Sequence, residues 1–436
     1  MAGPILIFDK STLQSLNMDE AAWLDNSYLS NITPLFFIET LADLEKEVRS
    51  GRTPEQVVGN LAAKTPDLSA IPNVHHTALI VGELVLGGKT DMRTGRPHIA
   101  GGRPMELGGK SGIMFDPSPE EQAFHRWQNG EFLEVERFAA KAWRQALANV
   151  NLEGVYAVFR ERLPSWNKPK NLKDIKDAVD SVVVNPDQEN VLRMALAVVG
   201  IEEGVQEKTL ERWQLAGRPP VREFAPYFTY VFSVDLFFYL AIAADLVGRG
   251  RASHKVDIAY LYYLPFCMVF SSNDNLHKDL VPFFLRENQT FVDGTDLKTD
   301  LQALNRHYDA LPAEVKDTGM MRFAFYPPDE DEFLLTRLWD KHMNPEWRQH
   351  KREHENAPAP KANAESTKPL FDPIRAAEKG GKPMKPFVPT NMDDAHHVVI
   401  KRNARAKKGR WERFPPEVRN RRKNEHGEWE DIPPSE

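Results

Sequence analysis

Four acidic residues stand where an α/β chain could use them for chemistry: Asp9, Glu39, Asp257 and Asp274. Asp9 ends the uncharged run Pro4-Ile-Leu-Ile-Phe8, which reads as a buried strand. Asp274 follows a second apolar run, Cys267-Met-Val-Phe270, across the polar turn Ser271-Ser-Asn. In open α/β sheets the reacting groups collect at the carboxyl ends of strands, where both residues are expected. Glu39 lies among Leu35, Phe36, Phe37, Ile38 and Leu41, on the otherwise apolar first turns of a helix. Thr33 is the expected N-cap of that helix and Pro34 its first residue. A carboxylate with apolar neighbours is costly unless something pairs with it. Asp257 opens an apolar, helix-length run that Pro265 closes. Any one of these acids could be a helix cap, so their convergence on one edge is what decides between capping and chemistry.

Carboxylates a few ångströms apart repel and raise one another's pKa. A hard cation such as Mg²⁺ or Mn²⁺ relieves that repulsion while keeping several waters. Such an ion can polarise a phosphoryl oxygen and supply hydroxide for in-line attack on phosphorus. The chemistry expected is therefore metal-dependent phosphodiester hydrolysis. Asp9 and Asp274 are the principal expected ligands, with Asp257 and Glu39 ligating the metal or orienting its water. Ser272 would hold the Asp274 loop or donate to a phosphate, and Lys10 is a further phosphate contact.

The order of these motifs resembles the PIN-like nuclease domain. The residues that carry the likeness are Ile7-Phe8-Asp9, Thr33-Pro34 with Glu39, Asp257-Ile-Ala, and Ser272-Asn-Asp274. Thr290-Phe291-Val292 fits the last strand that such domains place after the fourth acid. The likeness covers residues 1–50 and 223–305, and it departs from the family in a long insertion between the second and third acids. It implies a three-layer α/β/α fold on a central parallel sheet. It also implies a Mg/Mn-dependent endoribonuclease, acting on single-stranded RNA. The rival is a catalytically silent PIN-like scaffold that binds nucleic acid or protein.

The rest of the chain must position these acids. Its 436 residues, 41% hydrophobic and 27% charged, are ordinary for a globular protein of two or three domains. One Cys excludes an internal disulfide, and no charged-then-apolar leader opens the sequence, so a cytoplasmic protein is expected. Cys267 sits in an apolar strand and reads as a small buried hydrophobe. Phe224 to Val247 is long enough to span a membrane, but Asp235 at its middle favours a core helix with a partnered carboxylate.

The insertion, residues 51–222, reads as mainly helical, with helices at 120–130, 132–147 and 187–199. Within it, residues 87–112 are rich in Gly, Arg and Lys and read as loops or a hairpin tip. Lys89, Arg93, Arg96, Arg103 and Lys110 there could line a nucleic-acid path or be solvated. The spacing is wrong for a phosphate-binding Walker loop, since Pro104 and Glu83 occupy the places that need Gly. His75-His76 and His98 lack metal-ligand spacing. His254 and His277 flank the later acids and read as surface or supporting histidines.

Residues 306–345 form an extension with an edge strand expected at 320–326 and a helix at 331–343. From 346 to 436 the composition turns to Pro, Lys, Glu and Asn, and a disordered basic tail is expected. Residues 401–423 hold 11 Lys and Arg against two acids, Glu412 and Glu417. Lys401, Arg402, Arg405, Lys407, Lys408 and Arg410 beside Trp411 suit a single-stranded nucleic acid, phosphates by charge and a base by stacking. The bland alternative is a solubilising tail.

Overall fold

The computed structural model describes residues 3–48, 51–99, 102–107, 110–148, 169–248, 254–357, 397–400, 404–414, 421–423 and 429–431. At its centre is a five-stranded sheet, every neighbouring pair parallel. Its strands are β1 (Ile5–Phe8), β2 (Leu29–Ile32), β3 (Ala70–Pro72), β6 (Val269–Ser272) and β7 (Thr290–Asp293), in the spatial order β3-β2-β1-β6-β7. β4 (Gly102–Leu107) and β5 (Lys110–Phe115) form an antiparallel hairpin apart from that sheet.

Alternation along β1 explains the layering. Ile5 and Ile7 enter one hydrophobic core, whereas Leu6 and Phe8 enter another on the opposite face. The first core is built around the helix Pro226–Ala243, and the second around α2 (Met18–Ser27) and the helix Gly294–Asp309. Helices thus cover both faces, as a parallel sheet of uncharged strands requires. Pro226–Ala243 has the length and apolarity of a membrane span, yet most of it is buried inside the protein. Its Asp235 is partnered by Lys255 at 2.5 Å and by the Tyr262 hydroxyl.

The elements that carry the acids are short and locally determined. α1 (Lys10–Ser15) starts at the carboxyl end of β1, with Asp9 as its N-cap. α3 (Pro34–Val48) carries Glu39, and the helix His254–Ala259 carries Asp257. That helix tightens into a 3-10 helix, Tyr260–Phe266, which contains Pro265. Asp274 caps the helix Asn275–Leu280 directly after β6. α4 (Pro54–Lys64) and α5 (His76–Leu84) open the stretch after α3.

Several expectations need correction. β3 belongs to the central sheet, so the core does not stop at residue 50; the stretch read as insertion supplies one of its strands. Residues 320–323 are a helical turn rather than an edge strand, because Met320 packs into the core next to Tyr308 and Ala324. Thr33 does not cap α3 with its side chain. Among the described residues its buried hydroxyl has no partner, and its carbonyl takes the Phe36 N–H at 3.1 Å.

The largest correction concerns the tail. Trp347–Asn356 is helical, β8 (His397–Ile400) pairs with β5, and residues 404–414 dock on the domain. In that last segment β9 (Lys407–Lys408) and β10 (Trp411–Glu412) form a tight hairpin. Gly409 at its tip has φ +58°, and an added Cβ there would run into Asp19. Trp411 is only 5% exposed, packs edge-on against Trp23 and donates to Asn305 at 2.8 Å. Lys408 is 4% exposed and reaches Asp25 at 3.2 Å. Neither can be offered to a nucleic acid. Arg405 donates to the Gln128 carbonyl, and Arg410 pairs with Asp19 and Asp309. Lys407 stays exposed beside Glu412. Lys401 and Arg402 lie outside the described residues.

Candidate functional site

Strand order reverses between β1 and β6: β2 and β3 lie on one side, β6 and β7 on the other. Crevices at such switch points are where open α/β sheets hold ligands. Asp9 and Asp274 both stand at this point, following the carboxyl ends of the two adjacent strands.

Asp9 is buried and its carboxylate is crowded with donors. Oδ1 accepts the Thr12 N–H at 2.9 Å and the Thr12 hydroxyl at 2.8 Å. Oδ2 accepts the Ser11 and Ser272 hydroxyls, each at 2.7 Å. Four donors fill the four lone-pair directions of a carboxylate. Burial works to raise this carboxyl, but His277 and the Ser272 and Ser11 hydroxyls outweigh it and hold it below its ordinary value.

Ser272 joins the two strand ends. Its hydroxyl donates to Asp9, accepts the Asp274 N–H at 2.9 Å and lies 2.7 Å from His277 Nδ1. Since its one proton goes to Asp9, the contact with His277 requires that the ring donate. His277 Nε2 meets the Asp257 carbonyl at 2.7 Å, so that nitrogen also donates. Both ring nitrogens carry protons and His277 is an imidazolium. Burial opposes that charge, yet Asp9, 3.7 Å away, and Asp257 raise the ring to about 9. Ser272 therefore holds the Asp274 loop, and the hydrogen bond that does so also ties in Asp9 and His277.

Glu39 is half-buried and accepts the Tyr260 hydroxyl at 2.8 Å. Burial pushes its carboxyl up to about 8; Lys10 and Tyr260 pull it down, while Asp9 and Asp257 raise it further. The three acids thus feel one another's fields. Asp257 and Asp274 are both half-exposed. Asp274 uses Oδ1 to take the Leu276 N–H at 2.7 Å. Lys10 is 3% exposed and acts as an internal counter-charge to Glu39. It is too deep to meet a phosphate, which corrects the expectation for it.

Of the two histidines read as surface or supporting, His277 joins the cluster, whereas the sequence did not reveal Tyr260 as a member. His277 lies three residues after Asp274, on the one-turn helix that Asp274 caps, and that spacing is the only local signal. His254 is elsewhere, bonded to the Gly248 carbonyl at 3.0 Å. Cys267 is buried, and burial pushes its thiol far up, as suits a core residue.

A divalent cation meets a mixed fit here. Burial, with a smaller push from Asp9 and Asp257, keeps Glu39 largely protonated at neutral pH, a state that a nearby cation would shift, and the half-exposed Asp257 and Asp274 are accessible to such an ion. Asp9, however, has no lone pair to spare. Among the described residues, no three His, Cys, Asp or Glu side chains are grouped closely enough to hold a metal. The half-exposed Asp257 and Asp274 could therefore serve a cation only singly or as a pair, with water filling most of its shell, and Asp9 joins only by giving up a hydroxyl donor. Comparison with known protein families, characterised proteins and solved structures finds no match for this chain.

Proposed function

We propose that the protein is a PIN-like, divalent-cation-dependent nuclease that hydrolyses phosphodiester bonds in single-stranded RNA. The supporting observation is that Asp9 and Asp274 stand at the switch point of a parallel sheet, with Glu39 close enough to Asp9 and Asp257 to be raised by them, on top of burial, to about 8. A bound Mg²⁺ or Mn²⁺ would supply Lewis-acid activation of the phosphate and an activated water. The chain's own part is to hold the acids in place. The Ser272 hydroxyl fixes the Asp274 loop, His277 clamps Asp9 to the Asp257 backbone, and Tyr260 aims Glu39.

A second reading is favoured by the saturation of Asp9. A carboxylate with four donors, beside two internal cations, Lys10 and His277, is also what a silent scaffold would keep. Cleavage separates the two. Asp274→Asn preserves the cap, since Asn caps as well as Asp. It should therefore fold normally and lose at least about 100-fold in Mn²⁺-dependent cleavage of single-stranded RNA, the scale of one electrostatic stabiliser. Wild-type protein inert on RNA and DNA, or a variant as active as wild type, would leave the scaffold.

A further inference from the structure

Beside the acid cluster lies a cleft of about 650 Å³ that the phosphodiesterase reading leaves unused. Its walls come from α3, α5, the turn at 199–205, the core helix Pro226–Ala243 and the Asp257 helix. Two of its lining residues, Ile38 and Val256, immediately precede Glu39 and Asp257 in the chain. On a helix, successive residues face directions about 100° apart, so the cleft adjoins the flank of the acid cluster. Its volume is in the range of about 300–1,000 Å³ that small-molecule sites occupy.

The lining settles the kind of group that fits. Leu35, Ile38, Ile80 and Val231 are aliphatic. Opposite chemistry comes from His75, His76 and Tyr262: the two imidazoles stack at 4.3 Å, and Tyr262 tilts onto His76 at 4.9 Å. His75 Nδ1 accepts the Thr77 N–H at 3.3 Å, which leaves the proton on Nε2. His76 Nδ1 lies 3.3 Å from the Tyr263 hydroxyl, which also accepts the His76 N–H at 2.9 Å. Burial holds both rings down, His76 to about 3, so neither carries a charge at neutral pH, and His75 keeps an Nε2–H donor. The one lining cation, Lys255, is matched by Asp235 at 2.5 Å. A lining with no uncompensated positive charge does not suit a phosphate. It suits a flat, uncharged heterocycle with hydrogen-bond acceptors on its edge.

We propose that this cleft takes an unpaired nucleobase from the nucleotide next to the scissile phosphate. The identity of the occupant rests on the phosphodiesterase reading, through the shared helices; the neutral ring-and-donor chemistry of the cleft does not. Stacking of a base on an aromatic side chain is sequence-tolerant, so the cleft selects single strands over duplexes rather than one base over another.

The test is a binding measurement made in EDTA, separate from cleavage. 2-Aminopurine riboside fluoresces less when stacked, so wild-type protein should quench it. His76→Ala should weaken that binding roughly 5- to 140-fold, which is about 1–3 kcal/mol of stacking at 1.4 kcal/mol per tenfold. Val256→Trp fills the cleft from a half-exposed position and should abolish quenching while the circular dichroism spectrum stays unchanged. Quenching lost in Val256→Trp from a protein that cleaves nothing would support the cleft and sink the nuclease reading. Normal RNA cleavage with no quenching in wild type, or quenching equal in all three proteins, would overturn the cleft proposal alone. Displacement of a fluorescent fatty acid by dodecanoate, with no competition from adenosine or uridine, would also overturn it, in favour of an acyl ligand.

Discussion

Two buried carboxylates, Asp9 and Asp25, sit in this protein with quite different company. Asp25 is fully enclosed. It takes Lys408 at 3.2 Å and Arg413, and it accepts the backbone N–H groups of Asp67, Leu68 and Ser69. Burial works to raise its carboxyl, but Lys408 and Arg413 outweigh that and hold it well below the usual range. Asp67 is the second acid, also paired with Arg413, so two acids meet two cations and solvent is shut out. Around Asp9 three acids, Asp9, Glu39 and Asp257, meet two cations, Lys10 and His277; Asp274 is tied in through Ser272, and Asp257 and Asp274 remain half-exposed. Closed, balanced charge is a means of holding a distant segment in register. Open, unbalanced charge is a place for something else to bind.

The sharpest way to break that comparison is to remove the partners of Asp25. Truncation after residue 403 strips away Lys408 and Arg413, strands Asp25 and uncovers Trp23. Breaking one buried pair costs about 3–5 kcal/mol, and this deletion removes two partners. Urea unfolding should show a loss of at least that size. A truncated protein as stable as the full chain would mean that the hairpin is not docked in solution.

The acid cluster should reveal itself next, through pH. A group whose folded pKa is raised gives stability that is present below its unfolded value and lost as pH rises through the folded one. His277 goes from an ordinary 6.5 to about 9, and Glu39 from 4.5 to about 8. In metal-free buffer, stability should therefore fall as pH rises from about 5 to 9. The His277 share is on the order of 3 kcal/mol. Asp9→Asn should flatten the upper part of that fall, because the charge that raises His277 is gone. It should also destabilise at neutral pH, since an amide cannot accept from all four donors that Asp9 serves. A curve of unchanged shape in the variant would remove Asp9 as the partner of His277.

The smallest effect belongs to the exposed member of the hairpin. Lys407 lies 3.8 Å from Glu412 with more than half of its side chain in solvent. Lys407→Ala should change the urea midpoint within error, a contribution below about 1 kcal/mol. A loss comparable to that of Lys408→Ala would contradict the division between buried and exposed cations.

How far the sequence could be read follows from the range of the interactions involved. Ile5–Phe8, Val269–Ser272 and Thr290–Asp293 were legible because buried parallel strands are short uncharged runs. The helix Gln188–Val199 was legible from its brackets, Pro186 before it and Gly200, at φ +76°, after it. Leu29–Ile32 was missed because Ser30 and Asn31 break the apolar signature, although both are buried. Ala70–Pro72 is three residues long and has no signature of its own. The basic run near residue 408 misled for a different reason. Its meaning depends on Asp25 and Asp67, more than 340 residues earlier, and a local excess of Lys and Arg looks the same whether its partners are phosphates or carboxylates. The acids of the candidate site were read from strand ends and helix starts, and His277 as a histidine flanking them, whereas the part of Tyr260 emerged only when the 3-10 turn was brought against α3.

The Asp9 cluster should accept a divalent cation and the Asp25 cluster should not. Thermal unfolding with and without Mn²⁺ tests it most directly, because an ion that binds only the folded state raises the melting temperature in proportion to its occupancy. Wild-type protein should gain several degrees in millimolar Mn²⁺, Asp274→Asn should lose that gain while keeping its metal-free melting temperature, and Lys408→Ala should melt lower yet keep the gain. A melting temperature indifferent to Mn²⁺, or a gain that survives in Asp274→Asn, would contradict the account.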